Sequence, residues 1–188
     1  MTERPTALRR ALDALYRFAG YFSGVFLVIL FALMVIMSAG REVGINIAAG
    51  DDFAAWSMVA LAFFGLAHTF KQGEMIRVGF LIERLSVRTR RVVEIFCLAT
   101  GTVFIGYFTI HAFRLAFESW KFNDMSQGTV AVPLWIPQVS MVVGLGLLTI
   151  AMADELVRVV SGRLPSYEKE PPKTAEELIE RVAQGGGV

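Results

Sequence analysis

The sequence is poor in the residues that soluble chemistry draws on. Of its 188 residues, two are histidine and one is cysteine. Cys97 therefore has no partner for an intrachain disulfide, and no C-x-x-C or Cys/His cluster offers a metal site. G-x-S-x-G, H-E-x-x-H and P-loop patterns are missing. Charged residues make up 19%, against the usual quarter, and the net charge of +1 gives no nucleic-acid signal. Charge is absent from whole blocks: between Arg17 and Arg41, Asp52 and Lys71, Glu94 and Arg114, and Asp124 and Asp154. Apolar side chains, 55% of the chain, fill those blocks. About 18 or more such residues suffice to cross about 30 Å of hydrocarbon as a helix. What remains outside is too short for a soluble domain of about 50 residues with its own core. The expected fold is all-α integral membrane, with four transmembrane helices plus amphipathic interfacial segments, and no catalytic, cofactor or metal residues.

The spans are expected near residues 18–39, 53–70, 92–113 and 133–153, within a membrane domain covering 1–157. In the head, Leu8, Leu12 and Leu15 share one side, an amphipathic lead into span one. That span is too long for a signal-peptide core and reads as an uncleaved anchor. Between spans two and three, Ile76, Phe80, Leu81 and Leu85 repeat at helical spacing among Arg77, Arg84, Arg88 and Arg91, which predicts a helix lying on the membrane surface. Pro133 suits the first turn of span four, where its missing N–H costs nothing, and Pro137 is placed to kink the entry. The tail, 158–188, is polar, and Thr174 to Glu177 forms a capping box ahead of a short helix over 175–184. Head, second loop and tail carry 15 Lys and Arg against 3 in the other two loops, so the positive-inside rule places both termini in the cytoplasm. Residues 41–52 and 114–124 then face outward.

Chemistry within the spans is sparse. His68 and His111 are expected near opposite membrane faces, on the order of 20 Å apart in depth, too far for one bis-imidazole haem. Asp52, Glu94, Asp154 and Glu155 sit at span ends, whereas ion-coupled transporters usually keep a carboxylate or a broken helix near the midplane. Gly101, Gly106, Gly144 and Gly146 suit close helix packing. The residues alone describe a small helical membrane protein that works through other proteins. They leave open a scaffold role, a membrane anchor or assembly subunit of a redox complex, and a small self-assembling transporter.

One constellation is more specific: Arg41 after span one, Asp52 at the start of span two, Gly65 within it, then Lys71-Gln72-Gly73-Glu74-Met75-Ile76-Arg77-Val78, then Pro133, Trp135 and Gly144 around span four. In order and spacing this resembles the small membrane subunit, the Q-type subunit, of tripartite ATP-independent periplasmic (TRAP) transporters. The likeness covers about 18–157. Met75 and Gly79 stand where that family's motif has His and Asp, and Val142 where it has Pro.

The resemblance implies a non-catalytic subunit of the bacterial inner membrane. It would pack beside a large permease subunit that takes up small organic anions, driven by a cation gradient. A periplasmic binding protein would deliver the substrate. In that setting Arg77 contacts anionic lipid, at about 1 kcal/mol per basic residue, or pairs with Glu74 or Glu94. Arg41 and Asp52 pair within the outer loops or touch a partner, and Trp56 and Trp135 anchor at the interfaces.

Overall fold

The structure, a computed structural model, describes residues 7–45, 47–72, 87–128 and 130–162. These form four helices: α1 (Ala7–Glu42), α2 (Gly50–Gln72), α3 (Val87–Lys121) and α4 (Trp135–Val160). Each is long and apolar enough to cross a membrane. The chain is a multi-pass, all-helical membrane protein. The described residues contain no strand, only an isolated bridge between Met125 and Pro133.

The helices outrun the uncharged blocks. At 1.5 Å per residue, the 36 residues of α1 and 35 of α3 span about 54 and 52 Å, well beyond a hydrocarbon core. The amphipathic head is thus continuous with span one from Ala7 onward. Helix α3 runs eight residues past the expected end of span three. Arg114 and Glu118, expected in an outer loop, are helical, and the loop proper is 122–134. The loop between α1 and α2 shrinks to 43–49. The surface helix expected before span three and the helix at 175–184 lie outside the described residues, as do Gly73, Ile76, Arg77 and Val78.

Contacts between the helices order them α1, α2, α4, α3 across the bundle. Helices α2 and α4 hold the middle, and α1 and α3 form the edges. Small residues set the close approaches. A Cβ on Gly144 of α4 would meet the Phe63 backbone of α2 and lie 2.6 Å from its Cβ, so only glycine permits this crossing. Gly65 of α2 faces Ser23 of α1, whose hydroxyl donates to the Leu61 carbonyl at 2.8 Å. Between α3 and α4, the Thr109 and Thr149 hydroxyls are joined at 2.9 Å; one donates to the other, whose own hydrogen goes to the carbonyl one turn back, of Ile105 or Leu145. These contacts run α2 parallel to α4, with α1 and α3 antiparallel to their neighbours.

The prolines exchange their expected places. Helix α4 begins at Trp135, so Pro133 precedes it and sits in the bridge with Met125. Pro137 occupies the first turn, where backbone N–H groups have no helical partner, and the helix runs on unbroken to Val160. The apolar core gathers where the C-terminal ends of α2 and α4 meet the N-terminal parts of α1 and α3. Tyr16, Ala67, Phe70, Leu98, Leu148, Ala151 and Val159 are all buried there.

Candidate functional site: a charged clamp and an open helix edge

The two ends of the bundle differ in chemistry. At one end, Lys71 lies in the last turn of α2, and Asp154 and Glu155 lie near the end of α4. Because the two helices run parallel, these residues arrive at one depth. The Lys71 ammonium donates to Asp154 Oδ2 at 2.6 Å and to Glu155 Oε2 at 3.0 Å. Glu155 is fully buried, Lys71 is 12% exposed and Asp154 36%. The same ammonium lies 5.4 Å from the centre of the Tyr16 ring of α1, within cation–π range. The Tyr16 hydroxyl is buried and has no hydrogen-bond partner among the described residues.

Arg91 of α3 completes the clamp by donating to the Val159 and Val160 carbonyls at 3.2 and 3.1 Å. Those carbonyls belong to the end of α4, where the helix dipole is negative and a cation is favoured. Two acids close to that end are disfavoured by the same dipole, so Lys71 and Arg91 offset an otherwise unfavourable arrangement. Glu94 is engaged by Arg90 one turn earlier at 3.4 Å. The expected alternative partner, Arg77, lies outside the described residues.

At the opposite end, Asp51 and Asp52 open α2, where an acid suits the positive end of the dipole. Asp52 packs directly against Gly128 of the 122–134 loop, where a Cβ would collide with its carboxylate. That loop is fixed by Leu134 N–H to Asp124 O at 2.9 Å and Ser126 N–H to Val132 O at 2.8 Å. Arg41 closes α1, is exposed, and turns back to its own helix, 3.5 Å from the Met37 carbonyl. Asp52 is thus held by the 122–134 loop, and Arg41 by its own helix. Trp135 stands at the start of α4, on the wall of a cavity of about 290 Å³ that it shares with Phe113, Phe117, Trp120 and Val142. Trp56 stacks edge-on with Phe53 in α2.

The two histidines lie closer in depth than expected. Gly106 faces Thr149 and Gly146 faces Thr109, a register that sets His111 level with Gly144. Gly144 is nine residues, about 13 Å, into α4 from Trp135, close to mid-bundle. His68 is five residues beyond Phe63, the α2 neighbour of Gly144, which puts it about 8 Å from His111 in depth. Direction separates the rings instead. His68 packs on Gly20 of α1 and pairs with Gln72 at 2.9 Å. His111 is exposed on α3, 4.3 Å from the Tyr107 ring.

Sequence reasoning missed the clamp. Its signal was present: a lysine ending span two and two acids ending span four, on helices crossing in the same direction. A family model described as "Tripartite ATP-independent periplasmic transporters, DctQ component" matches residues 28–162, well over half of the chain. No curated protein matches.

Proposed function

Because the chain belongs to the DctQ family, the small permease subunit of TRAP transporters, we propose that it is the non-catalytic scaffold of such a secondary transporter. It packs beside the large permease subunit, which moves small organic anions across the bacterial inner membrane on a cation gradient. A periplasmic binding protein delivers the substrate. The Lys71 end, with both termini, faces the cytoplasm, in keeping with the excess of Lys and Arg on that side. The family itself is a transporter component, not an enzyme family.

The observation that carries the scaffold role is the clamp. The buried Glu155, with Asp154, is tied to Lys71, so α2 and α4 are locked together at that end. A transport site needs groups free to bind and release. A carboxylate fixed in a three-residue cluster suits a rigid wall. Interior hydroxyls are engaged in the same way: Ser57 donates to Phe53 O and Thr102 to Leu98 O.

The test is co-purification of the chain from native membranes in mild detergent, followed by reconstitution. A multi-span partner near 1:1, with uptake only when chain, partner and binding protein are all present, is the expected result. Recovery of the chain alone, or with haem-bearing subunits, would overturn the proposal.

A further inference from the structure

We infer that the outward face of α3, centred on Tyr107, His111 and Arg114, is the surface on which the large membrane subunit docks. This rests on the scaffold reading above and goes beyond it by naming the face. The two edges of the bundle are unlike. The outward side of α1 presents Tyr21, Val25, Val28 and Phe31, all more than half exposed, and among these the Tyr21 hydroxyl alone is polar beyond the backbone. That edge suits lipid. The outward side of α3 presents Tyr107, His111, Arg114 and Glu118, spaced by four, three and four residues along one stripe. It lies opposite the buried Ala112, Ala116 and Ser119.

Depth makes the stripe costly in lipid. His111 is level with Gly144, about 13 Å below Trp135. Arg114 is three residues, about 5 Å, nearer that end. Neither side chain makes a hydrogen bond or ion pair among the described residues, and the Tyr107 hydroxyl makes none either. Intramembrane ionisable groups characteristically turn into a bundle or pair with another group. Here they turn away from the chain's own bundle, so a second bundle has to receive them. Because the stripe starts near mid-membrane and runs to Glu118, level with Pro137 in the first turn of α4, the partner must itself span the membrane. A soluble binding protein reaches only the upper end. The chemistry expected of the partner is a transmembrane helix pair offering a carboxylate or a free carbonyl oxygen facing His111 and Arg114.

The experiment uses the full chain co-expressed with its large subunit. A photoreactive benzoylphenylalanine is placed at position 107, 111 or, as control, 28. Adducts with the large subunit from 107 and 111 and not from 28 are expected. Adducts from 28 alone, or only lipid adducts from 107 and 111 while unaltered chain recovers the large subunit, would overturn the face assignment and leave the scaffold reading standing. Failure of unaltered chain to recover the large subunit would overturn both. In parallel, His111→Leu and Arg114→Gln should each lower recovery of the large subunit, by about fivefold, while the melting of the chain alone in detergent stays put. Recovery equal to that of the unaltered chain would also overturn the face assignment.

Discussion

Replacing Lys71 by methionine tests the clamp most directly. Methionine keeps the length and apolar stem of the side chain and removes only the ammonium. Three interactions go with it. The bond to Glu155 matters most, because that carboxylate is fully buried and cannot draw on water. Breaking a buried ion pair by removing one partner costs about 3–5 kcal/mol. Glu155 has contacts besides Lys71, so the lower end applies. The bond to Asp154 adds little, because a carboxylate 36% exposed is largely rehydrated; such pairs are worth about 0–1 kcal/mol. Loss of the Tyr16 ring contact adds about 1 kcal/mol. The expected loss is about 4 kcal/mol, a large part of the stability of an ordinary domain. The assay is reversible unfolding in mixed micelles with increasing dodecyl sulfate, followed by tryptophan fluorescence. The double variant Lys71→Met/Glu155→Gln removes the excess buried charge and should regain about half of the loss. A Lys71→Met loss under about 1 kcal/mol, or a double variant no more stable than the single, would refute the view that this cluster locks α2 to α4.

Three further outcomes follow from the packing. Gly144→Val should prevent a normal α2–α4 crossing at a cost of about 3 kcal/mol, because the obstruction is the Phe63 backbone, whereas Gly24→Ala, with open space around it, should be neutral or slightly stabilising; fluorescence-detected size exclusion of the two variants reports the contrast. Thr149→Val removes the inter-helical bond to Thr109 but leaves the Thr109 hydroxyl its own-helix acceptor, so the loss should be only about 0.6 kcal/mol in the same micelle titration. Arg91→Gln should loosen the last turn of α4 without disturbing its middle, seen as faster amide exchange at Ser161 and Gly162 with no change near Leu148.

Much of the fold was legible because the signal is local. Uncharged blocks at least 18 residues long give spans without knowledge of any contact. Helix ends were less legible, since a helix can continue through charged residues. Arg114 and Glu118 interrupt the apolar block but not α3, because arginine and glutamate are both good helix formers. The prolines show the same limit. Pro133 and Pro137 both satisfy first-turn rules, and the bridge from Met125 to Pro133, a tertiary contact, decides between them. Depth failed for His111 because the expected loop at 114 anchored the estimate near the outer face, whereas the α3–α4 register places that ring at mid-bundle. The clamp needed helix order. That α2 and α4 are neighbours running in parallel is a fact of packing, and without it Lys71 and Glu155 are two unrelated charges 84 positions apart.

The direction in which polar groups point divides the molecule into two kinds of surface. Inside the bundle, Ser23, Thr109 and Thr149 hydrogen-bond within the chain, and Lys71 and Glu155 are paired. On the outward edge of α3, at comparable depth, Tyr107, His111 and Arg114 make no hydrogen bond or ion pair among the described residues. In water that difference would carry no weight, because exposed polar groups are solvated. In hydrocarbon it marks an incomplete surface, since only another polypeptide or a displaced headgroup can supply the missing partners. The consequence is separable by mutation. Changes on α2 and α4 should lower the stability of the isolated chain and its assembly together. Changes on the α3 stripe should lower assembly alone, because the stripe touches nothing that the chain needs to fold. Equal sensitivity of fold and assembly at His111 would mean that the α3 edge is closed by the chain itself.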